Sequence, residues 1–132
     1  MLQAYALYNK PNGGQILAKF NSGVDNLIWA TRFGDQAGLP DISPTAFLVD
    51  VCDRVYVSGW GGPVLAGGVA TTDMPTTDGA FMEEHADGYD FYLIVLTRDL
   101  EDLEYGSYIG SDNAREHVDG GTSRCAHDGV VY

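Results

Sequence analysis

Two acidic loops carry the side chains that are best suited to chemistry. The first loop, EEHADGYD at 83–90, places Asp87 and Asp90 within a few residues of His85. A glycosidase of the two-carboxylate type needs its acids on opposite walls of a cleft, about 5–10 Å apart. Close neighbours on one exposed loop rarely reach that geometry. We therefore expect a solvated turn and keep Asp87 and Asp90 as ligand-binding candidates.

The second acidic loop, SDNAREHVDGG at 111–121, is a candidate calcium site. Asp112, Glu116 and Asp119 supply carboxylate oxygens around a glycine-rich bend beside His117. Calcium takes about six to eight oxygen ligands, but the order of acids does not follow a complete calcium-binding loop. The sequence therefore favours a structural loop held by hydrogen bonds, with calcium at Asp112, Glu116 and Asp119 as the alternative.

The chain offers no complete catalytic set. Ser58 lies in a predicted strand and not in the G-x-S-x-G turn of a serine hydrolase. The glycine-rich stretch WGGPVLAGG at 60–68 lacks the lysine and the following helix of a phosphate-binding loop. We therefore expect no catalytic residues, no enzyme activity and no cofactor other than calcium.

Composition and charge restrict the fold and the partners. The 132 residues are enough for one domain, and 17 glycines with 8 tyrosines favour short strands joined by tight turns. The formal net charge of −12 opposes the approach of nucleic acid or of anionic lipid. No apolar stretch approaches the roughly 20 residues of a membrane span, and the first residues lack the features of a signal peptide. We expect an all-β protein without nucleic-acid binding or membrane insertion.

The elements that would position these residues repeat along the chain. A shift of 76 positions aligns 16–34 with 92–110 without a gap, with leucine on leucine at two positions and glycine on glycine at one. The same shift aligns CDRVY at 52–56 with DGVVY at 128–132. A register that is kept over strands and turns indicates an internal repeat. The repeat divides the chain into the end of one blade at 1–14, one full unit at 15–90 and most of the next unit at 91–132.

Each unit is predicted to contain four short antiparallel strands, which is the plan of a propeller blade. We predict strands at 16–20, 27–33, 46–50, 54–60, 92–97 and 103–109, and a helix of a single turn near Thr77–Phe81. The hairpin turn at 52–56 needs a residue with positive φ. Asp53 stands at this position and Gly129 at the matching one, and both residue types tolerate that conformation.

Aromatic side chains and cysteines complete the set of candidates. Trp29 and Tyr105 are equivalent in the repeat, which favours a role in the core. Trp60, between two glycines, is the better candidate for contact with a sugar at the rim. Cys52 lies in a turn, whereas Cys125 aligns with a strand position, so we predict no disulfide between them.

Several stretches resemble a known family. AFLVDVCDRVYVSGW at 46–60 is similar to the A-x-x-V-D-x-x-G-N-x-Y-V-T-G pattern of bacterial seven-bladed β-propeller repeats, and MPTTDGAF at 74–81 to their D-F-P-T-T-P-G-A-F element. GYDFYLIVL, LEYGSYIGS and AREHVDGGTSR resemble segments of secreted, gliding-motility-associated surface proteins. Those proteins carry such repeats and often end in a type IX secretion sorting domain. The Gly-Asn turn of the pattern is Asp53-Arg54 in this chain.

The resemblance implies an extracellular or cell-surface repeat protein whose function belongs to the array. The implied partners are neighbouring blades of the same polypeptide, further copies of the chain, and surface glycans. It assigns no catalytic residues, so the expected function is a non-catalytic scaffold or binding module in adhesion or motility. A carbohydrate-active propeller enzyme and a calcium-assisted glycan-binding lectin are the alternatives.

Overall fold

The computed structural model describes residues 8–35, 37–61 and 71–116. Six strands form two antiparallel sheets: β1 Gln15–Phe20, β2 Leu27–Phe33, β3 Ser43–Val49, β4 Val55–Trp60, β5 Phe91–Leu96 and β6 Leu103–Ile109. The first two strands form one sheet, and the other four form a second sheet in the order β3-β4-β5-β6. The predicted all-β class is confirmed. The described strands do not close into a ring, so the propeller stays a proposal.

The alternation of side chains along the strands explains the four-stranded sheet. In β4, Val55 and Val57 are buried, while Tyr56 and Ser58 are half-buried. Successive side chains of a strand point to opposite faces, so β4 has a core face and a more accessible face. β5, with the sequence FYLIVL, is apolar along its whole length, which suits its place between two other strands.

The hairpins β1–β2 and β5–β6 have the same strand bounds when residue numbers are displaced by 76. Their registers agree pair by pair, since Gln15 pairs with Phe33 as Phe91 pairs with Ile109. Each ladder also has an irregularity just before the last residue of its first strand. The predicted equivalence of 16–34 and 92–110 is therefore confirmed in strand pairing.

The turns of the two hairpins are equivalent as well. In each turn the N–H of the first residue donates to the carbonyl five residues later, at 3.0 Å for Asn21 and at 3.0 Å for Thr97. The fourth turn residue has left-handed backbone in both copies, with φ of 58° at Val24 and 56° at Leu100. This conformation is rare for branched side chains. Its recurrence indicates that hairpin geometry, and not residue type, determines the turn.

The four strands of unit 15–90 do not lie in one sheet. β1 and β2 form their own sheet, whereas β3 and β4 pair with β5 and β6 from the following unit. The β3–β4 pair and the β5–β6 pair join at the β4–β5 ladder, in which Val57 pairs with Ile94. Beyond the ladder, the Gly61 N–H donates to the Asp90 carbonyl at 3.4 Å. The sheet therefore combines the second half of one unit with the first half of the next.

The core lies between the β1–β2 hairpin and one face of the four-stranded sheet. The hairpin contributes three side chains to it, those of Leu17, Trp29 and Phe33. The sheet contributes apolar side chains of its last three strands: Val55, Val57, Tyr92, Ile94, Leu96, Leu103 and Tyr108. Full burial of one such side chain contributes about 1.5–3 kcal/mol, so the hairpin stabilises the sheet by covering one of its faces.

The loop before β5 runs beside the outer strand of the sheet. The Thr77 N–H donates to the Gly106 carbonyl at 3.1 Å, and the Tyr108 N–H donates to the Met82 carbonyl at 3.0 Å. A Cβ at Gly106 would lie 2.3 Å from the Pro75 carbonyl oxygen. The loop therefore covers the edge of β6, and glycine at 106 permits the close approach.

The predicted helical turn at Thr77–Phe81 is wrong. The Ala80 N–H donates to the Thr77 carbonyl at 3.1 Å, which closes a β-turn, and Gly79 has a φ of 76°. Left-handed backbone at glycine ends any helical path. A short 3-10 turn lies instead at Arg98–Leu100, inside the β5–β6 connection.

Candidate functional site

The predicted rim residues lie together at the sheet end where β4 finishes. Trp60 is the last residue of β4 and pairs with Phe91, the first residue of β5. Asp90 directly precedes Phe91, and Asp87 lies in the same loop. This grouping is compatible with the ligand-binding prediction for Trp60, Asp87 and Asp90, which stays a prediction.

Asp87 and Asp90 accept hydrogen bonds from their own loop. Asp87 Oδ1 accepts from the Tyr89 N–H at 2.9 Å, and Asp90 Oδ2 accepts from the Ala86 N–H at 3.0 Å. Asp90 is completely buried, so the expected solvated turn is wrong for this residue. The loop folds back on itself and uses the Asp90 carboxylate as a local acceptor in place of water.

Asp90 also has an oxygen that lacks a donor. Its Oδ1 is buried and has no hydrogen-bond partner among the residues that the structure describes. A Cβ at Gly110 would lie 1.8 Å from this oxygen, so only glycine fits at 110. A buried carboxylate oxygen without a donor is costly, which makes Asp90 a candidate for contact with a cation.

Glu116, from the predicted calcium loop, lies beside the Asp90 loop. Its N–H donates to the Tyr89 carbonyl at 3.2 Å, and its Oε1 accepts from Ser111 Oγ at 3.5 Å. The second oxygen, Oε2, is buried and has no donor in the described part of the chain. Glu116 therefore adds a second unsatisfied carboxylate oxygen at this end of the sheet.

The full predicted calcium set is not assembled in the described residues. Asp112 is exposed, and Asp119 lies outside the described residues. Within 8–35, 37–61 and 71–116, no group of three or more His, Cys, Asp or Glu side chains has an arrangement that holds a metal ion. Calcium at Asp112, Glu116 and Asp119 stays a prediction.

Asp41 is a buried carboxylate that the sequence analysis missed. Its N–H donates to Gln15 Oε1 at 3.2 Å, and its Oδ2 accepts from the Asp35 N–H at 3.2 Å. Burial raises the pKa of Asp41 to about 7, and the Asp35 carboxyl adds to the rise although the Asp35 N–H opposes it. The Asp41 carboxyl group therefore takes up a proton near neutral pH.

A repeated glycine is the sequence signal for the burial of Asp41 and Asp90. Gly34 and Gly110 are equivalent in the repeat and directly follow β2 and β6. A Cβ at Gly34 would lie 2.2 Å from Asp41 Oδ2, just as one at Gly110 would meet Asp90. Glycine within a sheet often marks a close approach by another group. Here that group is a carboxylate in both copies.

The two buried aspartates share the surroundings of Tyr108. Burial raises the pKa of Tyr108 to about 12, the Met74 N–H lowers it, and the charges of Asp73, Asp90 and Asp41 raise it. The Tyr108 hydroxyl oxygen accepts from the Met74 N–H at 2.7 Å. The carboxylates near Tyr108 therefore oppose ionisation of its hydroxyl.

A polar cluster holds the β3–β4 turn at the opposite end of the sheet. Asp50 Oδ1 accepts from the N–H groups of Cys52 and Arg54, at 2.8 and 3.0 Å. Asp50 Oδ2 accepts from Arg54 Nε at 2.6 Å and from the Tyr56 hydroxyl at 3.1 Å. Burial raises the pKa of Asp50, but these hydrogen bonds outweigh it and hold the pKa below its usual range. Asp50 is therefore a structural carboxylate.

The same turn tests two sequence predictions. Asp53 has a φ of 63°, so the predicted positive φ is confirmed at this position. Cys52 is a free, exposed cysteine. Gly129 and Cys125 lie outside the described residues, so the equivalence of the second turn and the absence of a disulfide stay predictions.

Comparisons with known proteins give no family for this chain. Within the parts of the chain that the structure describes, no helix has the length and apolarity to span a membrane. The chain matches no protein-family model. Neither the curated proteins nor the solved structures give a match.

Proposed function

We propose that the chain is a non-catalytic repeat module that serves as an extracellular scaffold or binding surface on bacterial cells. The observation that carries the proposal is the equivalence of β1–β2 and β5–β6 in strand bounds, register and turns. A supersecondary unit that recurs in this way completes its core against a neighbouring unit. We therefore infer that the units of this chain stack on one another.

The use of the carboxylates supports a non-catalytic role. Asp50 and Asp87 accept N–H groups of their own turns, and Asp90 is buried. A general acid or base has to reach the proton that it transfers. These carboxylates stabilise loops instead, which favours a scaffold over a carbohydrate-active enzyme.

The cell-surface location rests on the resemblance to bacterial propeller repeats. Of the two stretches with the most specific resemblance, 46–60 spans most of β3 and all of β4, and 74–81 lies in the loop beside β6. Both stretches therefore contribute to the four-stranded sheet and its support. Secretion, adhesion and a part in gliding motility are proposals on the same basis.

A chain with one additional unit tests the proposal. We would insert a second copy of 15–90 after residue 90, which provides a new hairpin next to β4 and a further sheet. Each stacked unit adds its own stability and one interface. We expect the melting temperature, measured by circular dichroism, to rise by at least about 2–4 °C, the shift that roughly 1 kcal/mol produces in a chain of about 200 residues.

The matched control carries Leu17→Asp and Phe33→Asp in the inserted unit only. These changes keep the chain length and make polar one apolar face of the inserted hairpin, the face that packs on the core in β1–β2, so the rise should disappear. An inserted unit that leaves the melting temperature unchanged would contradict the proposal. So would turnover of glycan substrates by the native chain that depends on Asp87 or Asp90.

Calcium-assisted glycan binding is a second candidate function, at the sheet end that contains Trp60. It is favoured by Asp90 Oδ1 and Glu116 Oε2, two buried oxygens without a donor in the described residues. The two residues lie in adjacent segments, because the Glu116 N–H donates to the carbonyl next to Asp90. Calcium sites of extracellular modules bind with dissociation constants of about 10⁻⁴–10⁻³ M.

Calorimetric titration with CaCl₂, followed by a panel of glycans, tests this second candidate. We expect a binding heat in the native chain, its loss in Glu116→Gln, and its retention in Asp78→Asn, which changes an exposed acid elsewhere. If the native chain gives no heat with calcium, the second candidate is wrong and the repeat proposal is unaffected.

A further inference from the structure

The two equivalent hairpins bury opposite faces. In β1–β2 the face that packs on the core contains Leu17, Trp29 and Phe33. The residues at the equivalent positions of β5–β6 point to the other side of the sheet. They are Leu93 and Tyr105, which are half-buried, and Ile109, which is 45% exposed.

On the second face of each hairpin, side chains that pack on the core in β5–β6 have exposed equivalents in β1–β2. In β5–β6 this face packs on the core through Tyr92, Leu96 and Leu103. Its equivalents in β1–β2 are exposed: Ile16 at 67%, Phe20 at 48% and Leu27 at 37%. Each hairpin thus has two apolar faces. The face that β1–β2 buries is partly covered in β5–β6, where the N–H groups of Phe81 and Met82 donate to Tyr105 and Ser107, and the face that β5–β6 buries is exposed in β1–β2.

Two outer surfaces of the molecule follow from this comparison. We call Ile16, Phe20 and Leu27 the leading surface, and Phe91, Leu93, Tyr105 and Ile109 the trailing surface. The trailing surface contains a depression of about 240 Å³, whose apolar lining includes Ala46, Phe91, Leu93 and Ile109. Residues displaced by 76 positions from these two surfaces form the internal interface of the molecule. The equivalents of the trailing surface lie in β1–β2, and those of the leading surface lie in β5–β6.

We propose that the trailing surface of one molecule binds the leading surface of a second copy of the chain. The inference rests on the proposed function and deepens it by naming the partner and the residues. The contact would continue the internal interface, because the Leu17, Trp29 and Phe33 face and the Tyr92, Leu96 and Leu103 face already share one core within a single chain. Between two chains, the trailing surface of one molecule would take the place of the Leu17, Trp29 and Phe33 face. The leading surface of the other molecule would take the place of the Tyr92, Leu96 and Leu103 face.

The contact joins unlike surfaces, so it is head-to-tail. Each molecule has one leading and one trailing surface, and binding through one leaves the other available. Such heterologous contacts build open chains or, if the rotation closes, rings. A symmetric dimer through two trailing surfaces is a different arrangement, and the experiment below separates the two.

Charge sets the conditions under which the contact forms. The side chains that define the leading and trailing surfaces are uncharged, and one exposed arginine, Arg32, lies opposite Ile16 on the same face of the hairpin. Each chain carries a formal charge of −12. Repulsion between two such chains is screened within about 8 Å at physiological ionic strength and within about 3 Å at 1 M salt. Association should therefore strengthen as salt is added.

Sedimentation velocity of three single variants of the full chain tests the proposal. Ile16→Asp alters the leading surface, and Ile109→Asp alters the trailing surface. Val51→Asp is the matched control, because Val51 is 96% exposed in the β3–β4 turn and lies on neither surface. All three changes are at exposed side chains and add the same charge. If Ile109→Asp loses the β-sheet circular dichroism spectrum, Ile109→Ser replaces it.

We expect the native chain and Val51→Asp to associate with rising concentration and salt. Ile16→Asp alone and Ile109→Asp alone should sediment as monomers of 14.2 kDa under the same conditions. An equimolar mixture of the two should give a species of twice that mass, because each variant keeps the surface that the other has lost. This complementation is specific to a head-to-tail contact.

Three results would overturn the proposal. They are a native chain that stays monomeric at every salt concentration, an Ile16→Asp chain that still self-associates, and a mixture of the two variants that stays monomeric. None of them contradicts the repeat proposal, because the chain with an inserted unit measures stacking within one polypeptide. An inserted unit that raises the melting temperature, together with monomeric separate chains, would retain the repeat and reject the contact between copies.

Discussion

Asp50 holds the β3–β4 turn through both of its carboxylate oxygens, which accept from two backbone N–H groups, from Arg54 and from Tyr56. Loss of the carboxylate leaves these donors without their acceptor, which costs about 1–3 kcal/mol. We therefore expect Asp50→Ala to lower the free energy of unfolding in urea at pH 7 by about 2 kcal/mol.

The control for this prediction is Asp78→Ala, at an exposed position of the turn at 77–80. It should change the unfolding free energy by less than about 0.5 kcal/mol. Because the pKa of Asp50 is lowered in the folded chain, its stabilising effect is present above the unfolded pKa of about 3.9 and is lost as pH falls below it. Equal effects of the two variants would show that the turn does not depend on Asp50.

Asp41 predicts the opposite dependence on pH. Its pKa is raised to about 7, first by burial and then by Asp35, against about 3.9 in an unfolded chain. The protonated form is favoured by folding, so its contribution is complete below about pH 4 and is lost as pH rises through about 7.

Asp41→Asn removes this titration. We expect the variant to melt at a higher temperature than the native chain at pH 8, and the difference to shrink towards pH 4.5. Melting curves measured by circular dichroism at half-unit pH steps give the comparison. The same pH dependence in both chains would contradict a neutral Asp41 in the fold.

Sequence reasoning identified residues with local roles better than residues with roles set by burial. The positive φ at Asp53 follows from the turn length alone, and the structure shows it. The repeated glycine at position 34 was a signal for Asp41 that the sequence prediction did not use, and the burial of Asp41 depends on Gly34, Gln15 and the chain entering β3, which meet only in the folded molecule. The sequence identified Asp90 as a candidate in its loop. It did not predict the burial of Asp90, because this burial also depends on contacts that form only in the folded molecule.

At the scale of elements, the six predicted strands are present, and their bounds differ by no more than three residues from the predicted ones. Alternating apolar residues and turn residues were sufficient for this, because both act over a few positions. The helical turn predicted at Thr77–Phe81 failed, since Gly79 adopts left-handed backbone.

The equivalent hairpin turns give a prediction about backbone strain. Val24 and Leu100 share left-handed backbone, but Val24 is 72% exposed while Leu100 is completely buried. Val24→Gly should raise the free energy of unfolding by about 1 kcal/mol, because glycine relieves the strain. Leu100→Gly should lower it by about 2–5 kcal/mol, because the lost burial outweighs the relief. Urea denaturation of both variants makes the comparison, and two changes of the same sign would contradict it.

At the scale of the whole molecule, the shift of 76 positions predicts the length of a unit but not the boundaries of the sheet. The shift of 76 residues is a property of the sequence, whereas the pairing of β4 with β5 across the long connection between them is a tertiary contact. Long-range pairing depends on what each strand meets in the folded chain, and a local pattern does not specify it. The four-stranded sheet therefore begins in the middle of one predicted unit and ends in the middle of the next.

The hairpins 15–33 and 91–109 are equivalent in strand bounds and register. Amide hydrogen exchange of the full chain, measured by NMR, tests this equivalence, since slow exchange marks hydrogen-bonded amides residue by residue. We predict that the slowly exchanging amides of 15–33 recur at positions 76 higher in 91–109. Exchange should be slower in β5 than in β1, because β5 lies inside its sheet. Slowly exchanging amides of 15–33 without counterparts 76 positions higher would show that the two segments are not equivalent, whereas additional protected amides in β5 are expected from its pairing with β4.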